Sequence, residues 1–373
     1  MEGAIYQKLA QHLDKLPGGF PPTESGVEFR ILQRLFTPDE ADLALHLALI
    51  PEEPRVIARR AKISIAEATE RLERMALKGL IFRIQPQSRP PLYQALQFII
   101  GIWEFHVNDL DTELVRDMDE YIPTLFKEAW KVPQLRTIPV GRSITPQMEI
   151  LPYEKAEGLV RTQEKFAVAP CICRREQKMI GKGCQKPEET CLVFGMAADY
   201  YERNGLGRVI DLQETLNILK MADAEGLVLQ PSNSQDIVNI CCCCGDCCGV
   251  LRTLKKFPKP ANLVFSPFVA STNPETCEGC GLCTERCQME ALTLVDEKAM
   301  LNVDRCIGCG LCVSSCPTQS LTLVRKPESE QPRIPKDLIK SSIRLGQERG
   351  KLNMMNLVKM QLRSKIDRLL ASG

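Results

Sequence analysis

The pattern of apolar and polar residues predicts a group of helices in the first third of the chain. Apolar side chains recur every three or four residues after Pro38, and a short helix is expected over residues 56–61. Ser64 has Glu67 three positions after it, a capping box that predicts the start of a longer helix. This part of the chain is therefore expected to be largely helical.

The longer helix is expected over residues 65–78, and an apolar run follows it. Gly79 ends the helix, and residues 80–84 predict a strand. The order of helix, short helix, longer helix and strand resembles a winged helix-turn-helix domain, expected over residues 27–90 after an N-terminal helix in residues 1–26. In that family the longer helix would be the one offered to a DNA major groove.

The charge of this segment leaves two functions open. Residues 55–83 carry eight basic and three acidic side chains, an excess that could neutralise phosphates. All three acidic residues lie on the helix that would enter the groove, where they would repel a phosphate backbone. Docking of a partner protein is therefore favoured, and DNA binding is the alternative.

Helical patterns also run through the middle of the chain. Residues 111–129 predict a helix within a connecting region, residues 91–165, whose aromatic side chains supply a core. Asp211 is the expected N-cap of another helix, which ends near Gly226. We expect this second helix to fold the chain back and to bring two groups of cysteines together.

The last segment, residues 327–373, is predicted to be a basic helical tail. Residues 336–368 contain nine lysines or arginines and three acidic residues, with apolar residues between them. Such a tail could dock on an acidic partner or on a membrane surface as a peripheral contact, or pack back on its own chain. The sequence leaves these alternatives open.

The composition is that of an ordinary globular protein. Of its 373 residues, 44% are hydrophobic and 25% are charged, and the formal net charge is +1. No apolar run approaches the roughly 18 residues that a membrane span requires, and the first residues do not resemble a secretory signal. We therefore expect a cytoplasmic protein without a transmembrane segment, whose cysteines are kept reduced.

The chain contains 18 cysteines, and eight of them form an internal repeat. Between Cys277 and Cys316 the spacing C-x-x-C-x-x-C-x-x-x-C occurs twice, at a constant offset of 29 residues. A cubane iron–sulfur cluster needs four converging thiolates, and one tight loop of this spacing can supply three of them. The repeat resembles the ligand run of bacterial two-cluster ferredoxins, and such a domain is expected over residues 268–326.

This resemblance implies two [4Fe–4S] clusters with crossed ligands. The implied ligands of cluster 1 are Cys277, Cys280, Cys283 and Cys316. Those of cluster 2 are Cys306, Cys309, Cys312 and Cys287. Pro317 follows the last cysteine as the family pattern expects, whereas Gln288 stands at the equivalent place in the first repeat, a departure expected to alter the local turn and the reduction potential. Zinc is the alternative metal, although zinc ribbons use two separated cysteine pairs.

The other ten cysteines lie in a middle module expected over residues 166–257. Six of them fall within eight residues, and they cannot all bind one ion because neighbouring side chains diverge. We expect at least one further metal site there, a third iron–sulfur cluster in first place, with zinc or metal-free buried thiols as alternatives. The candidate ligands are Cys171, Cys173, Cys184, Cys191, Cys241, Cys243, Cys244, Cys247 and Cys248.

Taken together, the chain resembles multidomain 4Fe-4S ferredoxin-type iron–sulfur proteins of anaerobic bacteria and archaea. The P-C-x-C-R signature of the middle segment is formed here by Pro170, Cys171, Cys173 and Arg174. The resemblance implies an α+β multidomain architecture. Its parts are an N-terminal winged helix, a mostly helical middle region with a cysteine-rich module, a C-terminal two-cluster ferredoxin domain and a helical tail.

The expected function is electron transfer, with single electrons relayed to or from a partner oxidoreductase. The three histidines, His12, His46 and His106, are scattered and do not suggest a general acid or base. We therefore expect an electron-transfer subunit rather than a stand-alone enzyme. Two alternatives are a redox-sensing regulator that binds DNA through the winged helix and a reductase with catalysis at the middle cluster.

Overall fold

The computed structural model of the protein describes residues 2–371. The helices are α1 Glu2–Asp14, α2 Val27–Leu35, α3 Pro38–Ala44, α4 Pro54–Ala61, α5 Ile65–Leu77, α6 Trp103–Phe105, α7 Thr112–Ala129, α8 Ala156–Val160, α9 Ile172–Met179, α10 Gly195–Arg203, α11 Leu212–Ala224, α12 Gly249–Lys255, α13 Leu282–Arg286, α14 Leu311–Ser315, α15 Leu338–Glu348 and α16 Met354–Leu370. The strands are β1 Phe82–Ile84, β2 Leu92–Gln94, β3 Phe166–Pro170, β4 Glu189–Phe194, β5 Arg208–Ile210, β6 Val228–Pro231, β7 Asn239–Cys243, β8 Phe268–Thr272, β9 Leu292–Val295, β10 Lys298–Leu301 and β11 Leu321–Arg325.

The chain folds into two compact units. The first comprises residues 2–132, Tyr200–Leu206 and 342–371, and the second comprises Pro133–Asp199 and Gly207–Ser341. Helices and antiparallel sheets occur in both units, as the α+β class requires. The finer division into six segments stays a prediction, because the two units cut across the predicted connecting region and the predicted tail.

In the first unit, α3, α4 and α5 are followed by the antiparallel pair β1 and β2. The Ser64 hydroxyl accepts a hydrogen bond from the Glu67 backbone N–H at 3.1 Å, as predicted for an N-cap. The Glu67 carboxylate pairs with Arg71 at 3.1 Å. The reciprocal capping box lies instead at the start of α3, between Thr37 and Glu40.

The strand after α5 begins two residues later than predicted, at Phe82. The backbone N–H of Leu80 donates to the Met75 carbonyl at 3.0 Å, and Gly79 adopts a φ of 80°. These contacts end the helix in a turn through Gly79, and Leu80 is buried directly after that turn. Pairing with β2 can begin only beyond that turn.

Aromatic residues form part of the core of the first unit. The Tyr200 ring stacks on Phe82 and Phe105, with centroid separations of 4.9 and 4.4 Å. Its hydroxyl lies 2.7 Å from the Ala76 carbonyl and 2.9 Å from the Ile81 carbonyl, and either carbonyl can accept its hydrogen bond. These contacts explain why Tyr200–Leu206 belongs to the first unit.

The described part of the basic tail packs on its own chain. The Arg60 guanidinium on α4 contacts Asp367 of α16 at 2.6 Å and Glu52 at 2.5 Å. The Ser364 hydroxyl of α16 donates to the same Glu52 carboxylate at 2.6 Å. This is one of the arrangements that the sequence left open; docking on an acidic partner or on a membrane stays a prediction.

The second unit is built around five antiparallel strands in the order β5-β3-β4-β7-β6. Strand β7 pairs with β4 so that Cys241 lies opposite Cys191. Helix α11 starts as predicted, because the Asp211 carboxylate accepts a hydrogen bond from the Glu214 N–H at 2.7 Å. The rest of the unit contains two antiparallel pairs, β8 with β11 and β9 with β10.

Within residues 2–371, no helix is both long enough and apolar enough to cross a membrane.

A partly buried glutamate in the first unit makes its stability depend on pH. Burial raises the pKa of Glu104 to about 7, although its carboxylate accepts a hydrogen bond from the Gly101 N–H at 2.8 Å. The unfolded chain loses this proton nearer the ordinary value of 4.5, so the contribution to stability is complete below that pH and is lost as pH rises toward 7. We expect Glu104→Gln to abolish this loss and to stabilise the first unit by roughly 2–3 kcal/mol at pH 8.

Urea unfolding at pH 5 and pH 8, followed by tryptophan fluorescence, measures this effect. Both tryptophans of the chain, Trp103 and Trp130, lie in the first unit. Glu24→Gln at an exposed position is the matched control and should leave the pH dependence unchanged. A Glu104→Gln variant with the pH dependence of the parent protein would contradict the assignment.

Candidate metal centres

The two copies of the cysteine repeat form two similar loops in the second unit. Each loop leads into a short helix, α13 or α14, and the residue before each helix is a glycine with a left-handed backbone, Gly281 or Gly310. At Gly308 a side chain would collide with the carbonyl of Phe268 on β8. The second loop can therefore lie against the strand only because this residue is glycine.

The cysteines of the repeat lie in two neighbourhoods. The pKa of Cys283 is raised first by burial and also by the nearby thiols of Cys277, Cys280 and Cys316. Cys312 lies near a different set of thiols, and its pKa is also raised first by burial. Those neighbours are Cys309, Cys306, Cys287 and, more weakly, Cys283. The last cysteine of each run thus lies with the first three of the other run.

A cavity in this part of the unit is lined by one of these sets together with apolar residues. Its thiol-bearing lining residues are Cys287, Cys306, Cys309 and Cys312. Among residues 2–371, no three sulfur atoms of the repeat lie within 4.8 Å of one another. This spacing does not fit four thiolates around one ion, whereas a cluster, in which each cysteine binds a different iron atom, requires sulfur atoms that are farther apart.

Backbone N–H groups point at several of these sulfur atoms. The N–H of Ala291 lies 3.2 Å from Cys287 Sγ, and the N–H of Ala270 lies 3.4 Å from Cys306 Sγ. Burial alone would raise the pKa of Cys316, but hydrogen bonds, first from the Thr318 hydroxyl, outweigh it and lower the pKa. Donors of this kind stabilise thiolate charge, so the residues present fit an iron–sulfur cluster.

The middle module brings its cysteines together through β-sheet geometry. Successive side chains of a strand point to opposite faces, so Cys241 and Cys243 on β7 share one face and Cys242 points to the other. Cys191 on β4 lies opposite Cys241 and therefore on the same face. The sheet thus separates Cys242 from its two neighbours in sequence.

Six thiols of the module form a continuous chain of thiol–thiol interactions. In order along this chain they are Cys171, Cys173, Cys248, Cys243, Cys241 and Cys191. The pKa of Cys171 is raised first by the adjacent Cys173 thiol and then by burial. We call these residues the six-cysteine group. Asn239 on β7 donates to Cys241 Sγ at 3.5 Å, and Gln230 on β6 lies 3.9 Å from Cys248 Sγ.

Three further thiols form a separate and tighter set, which we call the Cys184 triad. Cys184 Sγ lies 3.7 Å from Cys244 Sγ and 3.5 Å from Cys247 Sγ. The hydrogen bond between Cys244 and Cys247 lowers the pKa of Cys244 and raises that of Cys247. Among residues 2–371, this is the one set of three or more cysteine, histidine or acidic ligand atoms that lie within 4.8 Å of one another.

The structure thus divides the nine candidate ligands of the middle module between two places. Six belong to the six-cysteine group and three to the Cys184 triad. Cys242, which was not among the candidates, is buried, and burial raises its pKa to about 12.

Arg174 places a buried positive charge beside both sets. Its side chain is almost fully buried, and it donates to the carbonyls of Pro187 and Cys242 at 2.9 and 2.8 Å. Its charge interacts with the Cys171 and Cys244 thiols, one from each set. Because buried charges persist only when they are compensated, this arginine fits a site that carries negative charge. Arg174 is part of the P-C-x-C-R signature, but its burial could not be predicted from that signature.

The middle module also contacts the loop that carries the first cysteine repeat. The Gly245 N–H, between Cys244 and Cys247, donates to the Gln288 side-chain carbonyl at 2.6 Å. A Cβ atom at Gly245 would lie 2.5 Å from the Gln288 backbone oxygen, so only glycine fits. This contact gives a structural reason for Gln288 where the ferredoxin pattern has proline, since proline offers no side-chain acceptor.

A second contact between the middle module and the cysteine repeat centres on Asp223 of α11. This buried carboxylate accepts hydrogen bonds from Arg142 at 2.8 Å and from the Ser314 hydroxyl of α14 at 2.8 Å. Arg286 of α13 donates to the Asp223 backbone carbonyl at 2.5 Å. Sequence patterns gave no signal for this residue, because a single aspartate on a helix is ordinary.

Comparison with known protein families adds one match. The family described as the 4Fe-4S dicluster domain matches residues 270–326, which contain the whole cysteine repeat. No match was found among curated proteins or among solved structures. The chain therefore carries a 4Fe-4S dicluster domain. It is an iron–sulfur protein, and the family match does not extend to the middle module or to the first unit.

The contact at Gly245 should be sensitive to a single methyl group. We expect Gly245→Ala to destabilise the second unit by about 1–3 kcal/mol, because the added carbon overlaps the Gln288 backbone. Urea-induced loss of the visible iron–sulfur absorbance measures the effect, since all 18 cysteines lie in the second unit. Gly141→Ala, where a new methyl group meets nothing within 4 Å, is the control. Equal unfolding midpoints for the two variants would contradict the predicted overlap.

Proposed function

We propose that this protein transfers electrons through two [4Fe–4S] clusters in the dicluster domain and a further iron–sulfur cluster in the middle module. It would relay single electrons to or from a partner oxidoreductase. The observation that carries the proposal is that the dicluster domain and the middle module, which contains the six-cysteine group, lie in one compact unit and are joined by a direct contact between Gly245 and Gln288. Cofactors bound within one packed unit suit electron transfer more than binding or catalysis at separate sites.

The proposed ligands of the dicluster domain are crossed between its two runs. Cys277, Cys280 and Cys283 would bind one cluster with Cys316. Cys306, Cys309 and Cys312 would bind the other with Cys287. The neighbourhoods around Cys283 and Cys312 support this assignment. When bound, each cluster supplies a one-electron couple whose potential is set by charge, burial and hydrogen bonds to sulfur.

The six-cysteine group is the proposed ligand source for the further cluster. Six thiols exceed the four that a cubane requires, so the group could hold the cluster with a subset of its members. Asn239 and Gln230 donate toward its sulfur atoms, and Arg174 offsets negative charge. Zinc bound by part of this group is the alternative, and it would leave the two dicluster centres as the complete relay.

Two contacts would hold the centres at fixed positions. The bond between Gly245 and Gln288 lies next to Cys244 on one side and next to Cys287, a proposed cluster 2 ligand, on the other. The Asp223 contacts tie α11 to both short helices of the repeat. Electrons passing between the middle module and the dicluster domain would therefore cross a short, packed boundary.

The α3–α5 helices with the β1–β2 pair would form a winged-helix-like docking domain rather than a DNA-binding one. Arg71 and Arg74 on α5 are paired with glutamates on the same helix. Arg59 and Arg60 on α4 are paired with Asp367 of the tail. These arginines would have to break ion pairs before they could contact phosphates, which weakens the case for a DNA-binding regulator.

Double substitutions test the crossed ligands directly. We expect Cys277→Ala with Cys316→Ala to remove one cluster, because both residues would serve the same site. Cys306→Ala with Cys316→Ala should remove two clusters, and hence about four more irons per chain. Anaerobic iron and sulfide analysis measures the difference, and Cys242→Ala is the control that should keep all iron. Equal iron contents in the two double variants would contradict crossed ligation.

A potentiometric titration of the full chain tests electron transfer itself. We expect reversible reduction in one-electron steps, each with a slope of about 59 mV per tenfold change in the ratio of oxidised to reduced protein. The spectra should return fully on reoxidation, because the cluster environment is preformed. Irreversible bleaching, or steps with a two-electron slope of about 30 mV, would contradict a single-electron relay.

A further inference from the structure

We propose that the Cys184 triad binds a single zinc ion, separate from the cluster proposed for the six-cysteine group. The proposal adds a metal site to the proposed function and does not depend on it. Its ligands would be Cys184, Cys244 and Cys247, with the fourth position of the ion open to water or to an external ligand. Three thiolates are a ligand set that thiophilic ions such as Zn²⁺ prefer.

The distances between sulfur atoms distinguish one ion from a cluster. With Zn–S bonds of about 2.3 Å in tetrahedral geometry, thiolates around one zinc ion lie about 3.8 Å apart. The separations from Cys184 Sγ to Cys244 Sγ and Cys247 Sγ are 3.7 and 3.5 Å. In a cubane each cysteine binds a different iron, so its ligand sulfurs are more widely spaced. Among residues 2–371, no three sulfur atoms of the dicluster repeat lie within 4.8 Å of one another, in contrast to the triad.

The local backbone explains why these three thiols converge. Cys244 and Cys247 flank the turn at Gly245 and Asp246, so a C-x-x-C segment offers two thiols to one point. Cys184 reaches the same point from the loop after α9, and its backbone N–H lies 3.4 Å from Cys247 Sγ. Such an N–H donor stabilises a bound thiolate.

The triad is distinct from the six-cysteine group even though their residues are adjacent in sequence. The thiols of Cys243 and Cys248 interact with each other, whereas those of Cys244 and Cys247 meet Cys184. In the adjacent pairs Cys243–Cys244 and Cys247–Cys248, one side chain therefore belongs to the six-cysteine group and the other to the Cys184 triad. This separation satisfies the constraint that neighbouring side chains diverge, and it leaves Cys242 with neither site.

The burial of the three residues indicates how an ion would enter and what it would do. Cys244 and Cys247 are buried, whereas Cys184 is partly exposed, so the open side of the ion would face Cys184. Zinc has no redox chemistry, so it would hold the turn rather than carry electrons. That turn presents Gly245 to Gln288, and the ion would thus fix the contact between the middle module and the dicluster domain.

Metal analysis of the full-length protein, purified anaerobically with its clusters, tests the proposal. We expect about one zinc per chain in the parent protein, and a decrease of about tenfold or more in Cys184→Ser after dialysis against a chelator, with iron unchanged. Cys242→Ala, a change in the same cysteine run, should keep both metals. Cys171→Ser should lower iron and leave zinc, so loss of the proposed middle cluster is distinguished from loss of the zinc site.

X-ray absorption at the zinc edge of the parent protein keeps the test valid if a variant fails to fold. Sulfur-dominated coordination at about 2.3 Å supports the site, whereas coordination by nitrogen and oxygen alone indicates adventitious zinc and overturns it. A parent protein that contains no zinc also overturns it, and a disulfide formed among the three residues on oxidation would then show that their thiols are free of metal. So does a loss of iron in Cys184→Ser, which would assign the triad to a cluster.

Discussion

The second unit depends on the divergence of neighbouring side chains along an extended strand and the turn that follows it. Six cysteines occupy eight residues in the last part of β7 and the turn after it, and the alternation of the strand sends Cys241 and Cys243 to one face and Cys242 to the other. The next turn sends Cys244 and Cys247 toward Cys184, while Cys248 rejoins Cys243. A crowded run of identical residues thereby becomes two separate sets of thiols.

Nearby polar groups offset the repulsion between the negative charges of converging thiolates. Thiolates repel one another, and burial removes the water that would screen them. Arg174 supplies a buried positive charge beside both sets in the middle module, and backbone N–H groups point at sulfur atoms of the dicluster domain. Gln288 serves a different purpose: its amide carbonyl accepts the Gly245 N–H and joins the two cysteine-bearing parts of the unit.

The features predicted correctly are those that depend on residues close together in sequence. The caps at Ser64 and Asp211, the helices that follow them and the metal-binding character of the cysteine repeat could all be read from residues close together in sequence. The division of the middle cysteines could not, because it depends on the pairing of β4 with β7 across some 50 residues of chain. The burial of Arg174 could not be predicted, and the packing of α16 on α4 was only one of the alternatives that the sequence left open, because both result from contacts between distant segments.

Iron and acid-labile sulfide analysis of the anaerobically purified chain, with electron paramagnetic resonance after reduction, tests the central claim most directly. The account predicts about twelve irons and twelve sulfides per chain, with signals from three reducible centres. About eight irons, with signals from two centres only, would contradict a cluster in the six-cysteine group and confine electron transfer to the dicluster domain.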